Sequence, residues 1–354
     1  MLKSINPSML LLARESRGLS QSELANQLNI SQGKLSKAEK GAQTLDFEML
    51  SNLSKITNYP ISFFHQASPD SPVSHHYYRR KISVPKKTIN QIEANIKIFR
   101  KNIDELMDAI ELPEYSLPSI NSDDKRPEEI AELIRYKLKV TQGPMPNLVN
   151  LLENHGIVIV KTDMFTNKID GLSTISDRGV KIVFLNKRMS TDRQRFSLAH
   201  ELGHLIMHFD IPSYPENIEE EANRFASELL MPKKEINNDL RFLTFSKLGD
   251  LKRHWKVSMR ALVYRAKTLE TINQRQYRNF QINFSRRGIN KSEPIKIADE
   301  KAFILNRVID LHQEELGYSL DELAKIVHLN PVEFRDNFIQ HNPTKLTIVR
   351  NDQR

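Results

Sequence analysis

Phe196-Ser197-Leu198-Ala199-His200-Glu201-Leu202-Gly203-His204-Leu205-Ile206-Met207-His208 is an apolar-periodic run that carries two histidines four residues apart. That spacing is about one helical turn, so both imidazoles project from one face and can point at one ion. Glu201 lies about 100° around the helix from His200. From there its carboxylate can reach a water on that ion as general base. Leu198, Leu202 and Leu205 form the opposite stripe, so the predicted helix turns leucine to a core and histidine to another surface.

A hydrolytic zinc needs a third protein ligand and one open position. The metzincin spacing requires Gly at position 207 and His at 210, and the chain has Met207 and Asp210 there. The next candidates lie in Asn217-Ile218-Glu219-Glu220-Glu221-Ala222-Asn223-Arg224-Phe225-Ala226-Ser227-Glu228-Leu229-Leu230-Met231-Pro232. Glu219, Ala222, Asn223 and Ala226 share one face of this predicted helix. The small residues allow it to approach the histidine helix closely. Glu219 is therefore the first choice, Glu221 beside Phe225 and Glu228 the second, and His208 a further alternative. Asn223 is placed to orient a ligand histidine from behind.

The first sixty-odd residues have a different pattern. Ser20-Gln21-Ser22-Glu23 reads as a capping box, and Leu24, Ala25 and Leu28 give the helix behind it an apolar face. Asn29-Ile30 makes a tight turn. Ser31 then caps a second helix, Gln32-Gly33-Lys34-Leu35-Ser36-Lys37-Ala38-Glu39-Lys40, which Gly41 ends. Two short helices across a tight turn, the second basic on one side, form a helix-turn-helix layout. Residues 9–17 supply a preceding helix and 47–56 a following one. Gly18-Leu19-Ser20-Gln21-Ser22-Glu23-Leu24-Ala25, Ile30-Ser31-Gln32 and Leu35-Ser36-Lys37-Ala38-Glu39-Lys40-Gly41 resemble the Xre helix-turn-helix family. The resemblance places Gln21, Gln32, Gly33, Lys34, Ser36 and Lys37 at the DNA surface. It implies Gln32 at an adenine edge, Lys34 at a guanine edge or phosphate, and Ser36 and Lys37 on the backbone. It also implies a homodimer on operator DNA, since one module has little contact area.

The 354 residues carry a formal charge of +8 and no cysteine. Thiolate metal sites and disulfides are excluded, so zinc must be held by histidine and carboxylate. The positive balance suits an acidic partner such as nucleic acid. No apolar run is long enough for a signal peptide or a membrane span, so a soluble cytoplasmic protein without membrane contact is expected. The Ser/Pro-rich stretch 68–72 reads as a linker. The basic stretch 75–81 holds His75 and His76, which are adjacent and poorly spaced for one metal. Residues 89–110 have helical periodicity with Ile92, Ile96 and Ile103, a spacer or dimerising helix.

Residues 127–136 and 147–155 read as helices, and three β-rich runs follow at 156–160, 171–175 and 180–186. A small sheet feeding the metal helix is how zinc peptidases are organised, and its exposed edge can pair with an extended peptide. Arg195-Phe196-Ser197-Leu198-Ala199-His200-Glu201-Leu202-Gly203-His204, together with Ala222-Asn223, Phe225-Ala226 and Leu229-Leu230-Met231-Pro232, resembles the ImmA/IrrE metallopeptidases. Gly143-Pro144, Asp170-Gly171 and Phe184-Leu185-Asn186 fit as well. The resemblance implies a zinc-dependent, site-specific endopeptidase that relieves repression by cutting an Xre-type repressor, as in stress, phage or toxin–antitoxin responses. It carries His200, His204 and Glu219 over as ligands and Glu201 as base. Here a DNA-binding module sits in the same chain, so the chain itself, near 66–75 or 112–124, is a second candidate substrate. Tyr214, Arg224 and Tyr264 are candidate oxyanion donors. A transcription factor or antitoxin whose zinc domain senses a ligand or partner without turnover is the alternative.

The expected fold is α+β and mainly α. A five-helix-type helix-turn-helix bundle occupies 1–66, a linker and spacer helix 67–117, and a zincin-like metallopeptidase domain with a small sheet 118–240. A helical regulatory or packing region fills 241–354. There, 248–269 and 274–287 read as basic helices, and Arg275, Arg278, Arg286 and Arg287 are phosphate candidates. Gly317-Tyr318-Ser319-Leu320-Asp321-Glu322-Leu323-Ala324 echoes 18–25. The following helix, 331–339, carries Glu333 and Asp336, which points to packing rather than DNA reading.

Overall fold

Asn6 accepts a hydrogen bond from the Ser8 backbone amide, and Pro7 occupies the first helical position, two features that start a helix. In the computed structural model, which describes residues 4–69, 84–120, 125–209, 217–290 and 292–339, this helix is α1 (Pro7–Ser16). It leads to α2 (Gln21–Gln27), α3 (Gln32–Glu39), α4 (Phe47–Thr57) and a 3-10 turn at Ile61–His65. Ser20 and Glu23 complete the capping box of α2, Ser31 caps α3, and Asp46 caps α4. Asn29, at φ 54°, turns the chain between α2 and α3, a conformation asparagine tolerates better than most side chains.

The predicted spacer helix is α5 (Lys86–Leu106). Its stripe, including Ile92, Ile96 and Ile103, is buried. It packs along α1 and, farther on, against the sheet of the same chain, with Phe99 edge-on to Phe184. The stripe is thus covered from within rather than waiting for a second copy. His75, His76 and most of the predicted linker lie outside the described residues.

After α6 (Pro127–Lys137) and α7 (Leu148–Glu153) come β1 (Ile157–Thr162), β2 (Gly171–Ile175) and β3 (Lys181–Asn186). The strand order is β1-β3-β2, with β1 parallel and β2 antiparallel to β3. Alternation along each strand gives the sheet two buried faces. Val158, Val160, Leu172, Ile182 and Phe184 join the core that holds α1 to α5. Ile157, Ile159, Val183 and Leu185 join the second core, beneath the histidine helix. The sheet is therefore the wall between two hydrophobic cores. Each fully buried aliphatic or aromatic side chain in it stabilises the fold by about 1.5–3 kcal/mol.

The remaining helices are α8 (Thr191–Met207), α9 (Ile218–Leu230), α10 (Lys233–Asp239), α11 (Phe245–Trp255), α12 (Met259–Thr268), α13 (Gln274–Arg286), α14 (Ile304–Glu314), α15 (Leu320–Ile326) and α16 (Pro331–Phe338). The stretch 248–269, read from sequence as one helical run, is two helices. Lys256 adopts φ 55° after α11, and Ser258 caps α12 by accepting from the Ala261 amide. Ser319 and Glu322 repeat the capping box of α2 at the start of α15. The echoed element, α15, packs against α5 and α16, and α16 packs against α14. It is tied to the N-terminal bundle by Arg17, which forms two hydrogen bonds of 2.8 and 2.7 Å to the Glu333 carboxylate, and by Asn330, which donates to Asn58. Glu333 of α16 thus serves packing, while Asp336 is exposed.

Candidate metal centre

Helix α8 runs under β2 and is crossed by α9. Gly203 makes the crossing close: a Cβ there would stand 3.0 Å from the Phe225 ring and 3.4 Å from Ala222 Cα. Ala222 and Ala226, both fully buried, complete the close face. This contact carries Glu219, at the start of α9, over the α8 histidines.

His200 Nε2 and His204 Nε2 are 3.0 Å apart, and the Glu219 carboxylate oxygens lie 3.5 and 3.3 Å from them. Among the described residues these three form the one His/Asp/Glu group able to hold a metal ion. Behind it the hydrogen bonds fix the imidazole tautomers. His200 Nδ1 donates to Asn223 Oδ1 at 3.0 Å. His208 Nε2 donates to Glu221 Oε2 at 2.9 Å, and Asn217 holds the other Glu221 oxygen. Burial pushes the His208 pKa down, although the Glu221 hydrogen bond pulls it up, which favours the neutral imidazole. Its one proton is committed to Glu221, and its Nδ1 accepts from His204 Nδ1 at 3.0 Å. Both Nε2 atoms therefore turn lone pairs toward each other and toward a carboxylate. Three acceptors in such contact repel unless a cation lies between them. Donor atoms on a tetrahedral zinc stand roughly 3.3 Å apart, close to the spacings found. Two imidazoles and a carboxylate on a buried site fit that ion.

Glu201, 3% exposed, accepts a 2.9 Å hydrogen bond from Ser173 Oγ of β2. Gly171 lets the strand come this near, since a Cβ would lie 2.8 Å from Phe184 O and 3.7 Å from Glu201 Cγ. The leucine stripe predicts that the histidines lie on a separate, more open surface. They are instead buried, His200 to 3%, His204 to 1% and His208 to 0% exposure, because α9 and β2 cover them.

Ser173 and the role of His208 are not legible in the sequence alone. Alternation puts Ser173 on the same side of β2 as Gly171, but only the packing of β2 on α8 shows what it meets. Glu221, weighed as a ligand, faces His208 instead of the histidine Nε2 pair. Of the oxyanion candidates, Tyr214 lies outside the described residues, Arg224 is ion-paired with Glu128 at 2.8 Å, and Tyr264 is half exposed.

In the N-terminal bundle Gln32, Gly33 and Lys37 are exposed, and Gln21, Lys34 and Ser36 are partly so. A Cβ on Gly33 would meet nothing, so the start of α3 faces open space. Gln21 Nε2 donates to Glu39 Oε2 at 2.7 Å, and Gln32 Oε1 accepts from Ser22 Oγ at 3.0 Å. These bonds present α3 from a fixed frame. Of the C-terminal arginines, Arg287 stacks on Phe245, 4.3 Å from the ring centroid.

Residues 152–267 match the family model of the IrrE N-terminal-like domain, Peptidase_M78, and residues 10–64 match that of the helix-turn-helix, HTH_3. The chain is a helix-turn-helix module fused to an IrrE-like domain. No curated protein matches it. The IrrE-like match extends past residue 240 to take in α11 and α12, and it contains the histidine pair, Glu201 and Glu219. No helix among the described residues is long and apolar enough to cross a membrane.

Proposed function

We propose that the chain is a DNA-anchored zinc endopeptidase that switches gene expression by cutting a helix-turn-helix repressor or its own chain. The observation that carries this reading is the convergence of His200 Nε2, His204 Nε2 and the Glu219 carboxylate next to a separately held carboxylate, Glu201. Zinc held by His200, His204 and Glu219 would supply Lewis-acid polarisation of a peptide carbonyl and of water. Asn223 keeps the His200 proton on Nδ1. Glu221, through His208, keeps the His204 proton on Nδ1. Ser173 orients the Glu201 carboxylate, and Glu201 takes a proton from the attacking water and returns it to the leaving amide nitrogen.

The edge position of β2 beside α8 suits an extended substrate paired through its main chain. Gln21, Gln32, Gly33, Lys34, Ser36 and Lys37 form the operator-reading face, and a homodimer supplies the second half-site. The chain acts in the cytoplasm. Intact-mass analysis of wild-type protein and Glu201→Gln, each incubated with candidate Xre-type repressors, tests the reading. Fragments of a repressor or of the chain itself, formed only by wild type, support it. Zinc binding without cleavage under any stimulus moves the reading to a sensor or antitoxin.

A further inference from the structure

A groove of about 1230 Å³ opens on the Nδ1 side of His200, lined by none of His200, His204, Glu219 or Glu201 themselves. Asn223, the partner of His200 Nδ1, lines one end of it, and Phe196, one turn before His200 on α8, lies in its wall. Asp170, the residue before β2, lies there too. Asp170 is thus the point at which this groove adjoins the β2 edge.

Its lining holds seven lysine and arginine side chains against four carboxylates. Four of the cations are neutralised in place. Lys161 pairs with Asp299 and Arg193 with Asp170. Arg188 pairs with Asp163, and buried Lys252 sits between Asp192 and Glu293. Lys187, Arg260 and Lys296 form no ion pair among the described residues, although Lys187 lies near enough to Asp163 to help hold its pKa down. They come from three separate segments, the end of β3, the start of α12 and the stretch before α14. Like charges brought into one cleft repel unless an anion enters, and a cleft with low-dielectric walls concentrates their field. Aromatic and aliphatic surface from Tyr264, Tyr277 and Ile295 lies between the charges. That mixture suits a polypeptide better than a single phosphate.

We infer that this groove binds an acidic segment of the polypeptide substrate at a distance from the scissile bond, with Lys187, Arg260 and Lys296 setting the preference. The inference rests on the peptidase reading for its account of what enters the groove. The test uses zinc-loaded full-length Glu201→Gln protein, which consumes nothing, and a fluorescein-labelled decapeptide of alternating Glu and Ala followed by anisotropy. Arg260→Glu with Lys296→Glu should weaken binding at least tenfold, and the milder Arg260→Gln with Lys296→Gln should weaken it in the same direction. The charge-matched Lys137→Glu with Lys139→Glu, remote from the groove, should leave it unchanged. All proteins must melt alike. Equal binding by the groove variants would overturn the inference, and so would displacement of the peptide by duplex DNA. Because the binding protein cannot turn over, failure here leaves the peptidase reading standing. Wild type that binds the peptide in the groove but cuts nothing would do the reverse.

Discussion

Ser173 Oγ donates to Glu201 Oε2 at 2.9 Å, while the next residue, Thr174, turns to the other face of the sheet and accepts from Arg100 Nη1 at 3.2 Å. One strand thus touches the proposed base on one side and, on the other, the helix that carries the DNA-binding bundle. Asp104 of that helix strengthens the join by accepting from Ser176 Oγ at 2.5 Å. Ser173→Ala should keep zinc and DNA binding and lower kcat by about tenfold, roughly 1.4 kcal/mol of transition-state stabilisation. Steady-state cleavage with parallel metal analysis checks this. An unchanged kcat would remove Ser173 from the machinery.

Glu219 and Glu221 are two residues apart and have different work in this account. Glu219→Gln should release zinc. Glu221→Gln should weaken zinc affinity only 10–100-fold, as expected for a group that acts through a ligand's partner. Competition against a fluorescent chelator measures both. Equal losses would make Glu221 a ligand.

Gly203 is where α8 and α9 touch. Gly203→Val would drive two methyls into Phe225 and Ala222. It should destabilise the chain by about 1–3 kcal/mol, as overpacking does, and weaken zinc by moving Glu219 away. Urea unfolding of the zinc-free protein isolates the packing cost. An unaltered midpoint would show that the helices do not need the close approach.

Burial raises the Glu153 pKa from 4.5 to about 7, opposed by hydrogen bonds from the Phe303 and Ile304 amides at the start of α14. The folded chain holds a proton that the unfolded chain has already released between those values. Its contribution to stability is full below about pH 4.5 and is lost as pH rises through 7. Thermal melts of wild type and Glu153→Gln should diverge in the variant's favour between pH 5 and 8. A constant difference would contradict the raised pKa.

On the DNA side, Lys34→Ala and Lys37→Ala should each reduce the slope of log K against log salt by about 1 if they meet phosphate. Lys34 should also relax sequence preference if it meets a guanine edge. Binding isotherms at several salt concentrations separate the two. Unchanged slopes would move the DNA surface off α3.

Much of this was legible because local chemistry announces itself. Ser20, Ser31 and Glu23 mark helix starts wherever they fall, and the β2 run at 171–175 has both bounds in its sequence. The His200–His204 spacing is a helical repeat that needs no tertiary knowledge. At the break near Lys256 only the restart is legible, through the Ser258 cap of α12; the stop is not, because a lysine in the left-handed region carries no local signal. The Glu221–His208–His204 chain and the Ser173–Glu201 bond were hidden for a different reason. They join residues on separate elements whose distances are set only when α9 and β2 close over α8.

The most direct test combines zinc content with intact mass for wild type and Glu201→Gln after incubation with repressor substrates. The account predicts one zinc per chain in both proteins and fragments only with wild type. Absence of zinc from purified, zinc-supplied protein of either form would contradict the metal centre, and fragments from both would remove Glu201 as the base.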